Sequence, residues 1–184
     1  MKRNTIVALI LGWLLIQAQA FASVVDTRHN LSVTGTGSIR ASQERQVCIF
    51  CHTPHNSAPS TPLWNRQSSG QSYIPYSSSS ANASIGQPTG SSILCLSCHD
   101  GTIALGRVLS RGSDIAMQGG VDQIPAGSTR LGTDLSDDHP VSFVYNSNLA
   151  NQRNGELVQP STLTGRVGLD GASRMQCSTC HDPH

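Results

Sequence analysis

The stretch CIFCHTPHN, Cys48 to Asn56, carries two cysteines three positions apart and a histidine directly after the second. Another histidine, His55, follows three positions later. CSTCHDPH, residues 177–184, repeats the arrangement with His181 and His184. LCLSCHDGT, residues 94–102, has the same core without the trailing histidine. All six cysteines fall in these copies: Cys48, Cys51 and His52; Cys95, Cys98 and His99; Cys177, Cys180 and His181.

Cys-x-x-Cys-His is the attachment signature for c-type haem. Two thiols at this spacing reach the two vinyl groups on one edge of the macrocycle and form thioethers. The next histidine then lies under the iron as proximal ligand. Zinc also takes Cys-x-x-Cys pairs with histidine, but it does not require a histidine after every second cysteine. A thioredoxin-like redox motif needs a strand-helix context that the flanking sequence lacks. A disulfide scaffold would scatter its cysteines rather than pair them identically. The spacing predicts three covalently attached haem c groups.

The start of the chain, MKRNTIVALILGWLLIQAQAFA, fits this chemistry. Lys2 and Arg3 precede an apolar run from Ile6 to Ile16, and small residues then offer cleavage after Ala20 or Ala22. This reads as a secretory signal peptide, residues 1–22. A membrane anchor would need about 20 apolar residues. The expected mature unit is one multihaem domain, residues 23–184, exported to the periplasm, the outer cell surface or the extracellular space. Cleavage after Ala22 removes Lys2, the one lysine, and leaves ten arginines against eleven acids. That balance excludes a nucleic-acid partner on charge grounds, and no later segment reads as a membrane span.

Aromatic residues make up only 4% of the chain, and long stretches are serine, glycine, threonine and asparagine. Such a sequence buries little apolar surface against its ordering entropy. The expected fold is mostly irregular coil, with a few short helices around the attachment motifs, little regular strand and stacked haems filling the interior. Residues 67–92 read as a Ser/Gly-rich surface connection, 93–107 as a short helix, and HPVSFVY, residues 139–145, as the best strand candidate. Loops this long need something else to organise them, and the apoprotein is expected to be largely unfolded.

Three proximal histidines leave His29, His55, His139 and His184 as candidate distal ligands. Methionine is the competing ligand type, and beyond the leader only Met117 and Met175 are present. The surplus of histidine predicts bis-histidine ligation. His55 and His52 do not share an iron, because residues three apart on a helix point only about 60° apart and axial ligands approach from opposite faces. His55, and by the same reasoning His184, is free to reach a different haem. Pro140 holds His139 in an extended backbone. Trp64 is a candidate to pack on a haem edge and Arg66 to pair with a propionate, against ordinary packing and a solvated arginine. Asp137 and Asp138 read as solvated, and Asp100-Gly101 as a turn.

CIFCHTPHN, TPLWNR, LCLSCHDGT, DLSDDHPVSF and CSTCHDPH together resemble the doubled-CxxCH multihaem c-type cytochromes of Geobacter-type metal-reducing bacteria, above all the tetrahaem, filament-forming outer-surface members. The resemblance covers most of the chain from His29 onward. It implies bis-histidine haems in a continuous stack, with axial roles for His52, His55, His99, His139, His181 and His184, and for His29. It implies extracellular electron transfer to other redox proteins or extracellular acceptors. It also implies a homopolymer in which one subunit lends a histidine to the next, here His29 or His184. Tetrahaem relatives continue past such a CHDPH to a fourth attachment motif, whereas this sequence carries three and stops at His184; either it is a shortened relative, or His29 or His184 serves another subunit's haem.

The expected function is therefore electron carriage without catalysis. A multihaem reductase with one open iron is the alternative, which needs acid and base groups beside that iron. A zinc-binding structural protein is a further alternative.

Overall fold

A computed structural model of the chain describes residues 23–58, 61, 63–152, 156–165 and 167–184. The expected leader lies outside these residues. Most of the described chain is coil and turn. Among the described residues there are three short α-helices, α1 (Gly90–His99), α2 (Ser147–Asn151) and α3 (Cys177–Cys180). Strands β1 (Phe143–Val144) and β2 (Arg174–Met175) form an antiparallel pair, with Phe143 opposite Met175. No helix among the described residues is long and apolar enough to cross a membrane.

Each attachment motif sits on helical backbone. The first is a 3-10 turn, Cys48–Phe50, continued by a bond from the His52 N–H to the Cys48 carbonyl at 2.8 Å. The second occupies the C-terminal half of α1, and the third is α3 itself. A single turn brings the cysteines and the following histidine to one side. The residues between the cysteines then point the other way, and these seed the interior. Ile49 and Phe50 are buried in one apolar cluster with Ala41, Leu105 and Met117. Leu96 is buried in a second with Tyr73 and Leu135. Thr179 is 1% exposed.

Polar side chains hold the second and third motifs together. The buried Gln176 amide oxygen accepts from Ser92 Oγ at 2.6 Å and from Ser142 Oγ at 2.9 Å. Its amide nitrogen donates to Asp170 Oδ2 at 2.7 Å. Gln176 and Thr179 also form a capping box at the start of α3, satisfying donors that a helix end leaves open. The Cys177 N–H donates to Ser92 Oγ at 3.0 Å, tying α3 onto α1.

Two expectations change on this frame. The strand over 139–145 shrinks to Phe143–Val144, because Ser142 takes φ of 61° and turns its hydroxyl to Gln176. The stretch 67–92 is not merely a surface connection. Tyr73 is 4% exposed, exchanges hydrogen bonds of 2.8 Å with the Gln87 side chain, and donates its hydroxyl to Asp100 Oδ2 at 2.7 Å. Asp100 in turn accepts from the Thr102 N–H and hydroxyl through Oδ1, so the turn after His99 is a buried anchor.

Gly106 packs against the backbone of Ile115, and a Cβ there would collide with the Ile115 carbonyl. Gly106→Ala should destabilise the fold by about 1–3 kcal/mol, read as a lower Tm. Burial, with Asp100 alongside, pushes the Tyr73 hydroxyl up to about 12. An unfolded tyrosine ionises near pH ~10, so the unfolded state releases its proton first. Stability should fall as pH rises from about 10 to about 12, and Tyr73→Phe should remove that component of the thermal-denaturation pH profile.

Candidate functional site

The histidines that follow the three cysteine pairs each face a second imidazole contributed from elsewhere in the chain. His52 stacks on His184 with ring centroids 6.1 Å apart and an interplanar angle of 13°. His181 stacks on His139 at 6.4 Å and 15°. His99 faces His29 at 6.2 Å, with the rings at 62°.

Local structure explains how each partner arrives. His184 is carried by the short segment after α3, where its N–H donates to Asp182 Oδ1 at 2.9 Å. His139 precedes β1, whose pairing with β2 brings it beside α3. His29 follows a 3-10 turn, Val24–Asp26, fixed to the body by Asn30, which is fully buried. The Asn30 amide donates to the Val25 carbonyl at 2.8 Å, and its oxygen accepts from the Ser32 N–H and hydroxyl.

Imidazole coordinates a metal through a neutral ring nitrogen at about 2 Å, so two rings across one metal put their centroids roughly 6 Å apart. All three pairs have that separation, and two have nearly parallel rings. Two further features fit a ligating role. His99 Nδ1 lies 2.7 Å from the Thr129 carbonyl, which only accepts, so Nδ1 carries the proton and Nε2 is left to bind. Desolvation by the surrounding chain, followed by the neighbouring His99 and His184, holds His29 below the ordinary imidazole range, favouring the neutral form that ligates.

His29 and His99 line a cavity of about 480 Å³ together with Cys51, Cys98 and the apolar side chains of Leu31, Ile39, Phe50, Leu105 and Ile124. An apolar wall, a thiol at the edge and two facing imidazoles match the demands of a flat, largely apolar macrocycle attached through sulfur. Beside His52, Trp64 stands edge-on at 5.8 Å, and its buried Nε1–H has no partner. That orphaned donor suits a cofactor with an acidic edge, since buried polar groups are normally paired. Among the described residues no three or more His, Cys, Asp or Glu side chains converge on one point, as a structural zinc site would need.

The motifs are close to one another. Cys95 and Cys177, from different motifs, lie close enough for Cys95 to hold the Cys177 thiol below its ordinary range while its own is raised. Burial pushes the Cys51 thiol up to about 11, with Cys98 near enough to add to the effect.

His55 is the histidine left over. Its backbone is held by the Thr53 side chain, whose hydroxyl donates to the His55 carbonyl at 2.6 Å, and the residue is exposed. Among the described residues no imidazole faces it. The rings of His29 and His184 each face a motif histidine of this chain.

Other expected roles also change. Arg66 is not a propionate partner or a solvated arginine: it is completely buried and all five of its N–H groups are used by protein oxygens. Asp138 is not fully solvated; its Oδ2 is buried without a partner, and burial raises the carboxyl above its ordinary range. Met117 is packed in the apolar cluster and Met175 lies in β2. The residues between the cysteines as core seeds, and Gln176 as a tie between motifs, carry no distinguishing sequence pattern. Compared with known proteins, the chain matches no protein-family model, and no curated protein matches it.

Proposed function

We propose that the protein is an exported multihaem c-type cytochrome that carries electrons through three bis-histidine centres. The carrying observation is that each Cys-x-x-Cys-His histidine faces one other imidazole at 6.1–6.4 Å. Cys48 and Cys51 would hold the first haem, with His52 and His184 as axial ligands. Cys95 and Cys98 would hold the second, with His99 and His29. Cys177 and Cys180 would hold the third, with His181 and His139. Bound haem iron supplies reversible one-electron exchange.

The chain's own contribution is spacing and occupancy. The Gln176 contacts and the bond from the Cys177 N–H to Ser92 Oγ put the second and third attachment segments side by side. His29 senses both His99 and His184, which brings the first two ligand pairs close together. Two imidazoles at every centre leave no position for substrate, which favours carriage over a reductase. The electron-transfer partners are other redox proteins or extracellular acceptors, as the family resemblance implies. The resemblance also implies assembly through a shared histidine, and His55 is the residue of this chain placed to serve an iron outside these three centres.

Holoprotein should retain three haems after acid-acetone extraction, counted by the pyridine haemochrome spectrum. Colourless protein would end the haem reading. His29→Ala, His139→Ala and His184→Ala should each open one iron, giving a high-spin signal and binding one equivalent of carbon monoxide after reduction. Three low-spin centres surviving any of these substitutions would contradict the pairing. Assembly is tested separately by electron microscopy of secreted material. Wild type should form ladder-like polymers and His55→Ala should not, while keeping three low-spin haems. Monodisperse wild type at high concentration would remove the polymer and leave the carrier intact.

A further inference from the structure

Arg66 lies between the first two attachment motifs and is 0% exposed. Its Nε donates to Ser97 Oγ at 3.2 Å. One terminal nitrogen donates to the carbonyls of Leu105 at 2.8 Å and Arg107 at 3.2 Å. The other donates to the carbonyls of Ser97 at 3.1 Å and Ala104 at 3.0 Å. A guanidinium has five N–H donors, so every one is occupied, and every acceptor is uncharged. Among the described residues no carboxylate forms an ion pair with it.

This is an unusual way to bury a charge. A buried arginine is ordinarily neutralised by a carboxylate, and one that is not keeps its full field in a medium that screens poorly. The charge is also fixed in place. Ser97 sits between Cys95 and Cys98 of the second motif. The neighbouring Asn65 takes the Cys51 carbonyl through its N–H at 2.9 Å and donates its amide to the Ile49 carbonyl. The strap Trp64–Asn65–Arg66 therefore joins the first motif to the second, with the cation at the second end.

We propose that Arg66 is an electrostatic positioning residue that raises the reduction potentials of the two haems attached at Cys48/Cys51 and Cys95/Cys98, the motifs that its strap joins. The proposal rests on the haem reading above. Reduction adds one electron to a ferric centre to give the ferrous centre, with no bond made or broken, and lowers the charge of that centre by one. A nearby fixed cation favours the state with the extra electron. Asp100, buried directly after His99 with its oxygens bonded to Tyr73 and Thr102, opposes the cation at the second centre.

The test is spectroelectrochemical titration of holoprotein, with dithionite as reductant and ferricyanide as oxidant, on wild type, Arg66→Gln and Arg66→Lys. Arg66→Gln should move two of the three midpoints to lower potential. Arg66→Lys keeps the charge but has three donors for five acceptors, and its midpoints should stay near those of wild type. Three unmoved midpoints in the Gln variant, or a Lys variant whose midpoints fall as far, overturn the proposal. If the Gln variant fails to load haem, the Lys variant decides alone: three haems with wild-type midpoints support the charge, and lowered midpoints refute it. Wild type that carries no covalent haem overturns the functional reading itself, a result distinct from unmoved midpoints in a loaded protein.

Discussion

The saturation of the Arg66 guanidinium by five oxygens is the contact on which the central part of the molecule depends. Four of those oxygens are backbone carbonyls, from Ser97, Ala104, Leu105 and Arg107. They belong to the end of α1 and to the loop that follows it, a region with no ladder of its own. One side chain thus satisfies acceptors that a sheet or helix would otherwise have to satisfy. Removing it would leave several buried carbonyls unpaired at once. The same residue, through its neighbour Asn65, fixes the first motif relative to the second. Gln176 plays the matching part between the second motif and the third.

This explains how so little regular structure holds a defined arrangement. Helices and sheets pair backbone groups with one another and let apolar faces drive packing. Here the two apolar clusters are small, and long polar side chains reach across the gaps to pair coil with coil. Geometry is therefore set residue by residue, through Asn30, Asn65, Arg66, Tyr73, Asp100 and Gln176, rather than by layers. The paired histidines project from turns anchored in this way.

Much of the candidate site was legible in the sequence, because Cys-x-x-Cys-His acts within one turn and needs no tertiary information. The coil-rich architecture was legible too, from the shortage of aromatics and the long Ser/Gly stretches. Partner choice was not. His55 and His184 each follow a motif histidine by three positions, and local geometry treats them alike; only the packing of α3 and its tail brings His184 to His52 and leaves His55 exposed. The roles of Arg66 and Tyr73 were hidden for a similar reason. An arginine in a polar stretch and a tyrosine in a Ser/Gly-rich loop read as surface residues until distant chain closes over them. The strand over 139–145 failed at Ser142, whose positive φ is set by its bond to Gln176 rather than by anything in its own segment.

The stacking of His184 on His52 joins residues from the third motif segment and the first. It is therefore a contact of very high sequence separation, the kind that forms late because loop closure must precede it. Synthesis delivers a chain with its amino end leading. The first pair of cysteines then emerges long before the ring that faces its histidine, while His29, the partner of His99, has already appeared. The His29–His99 pair can form as soon as the second motif arrives. The His52–His184 pair must wait until the third has followed it.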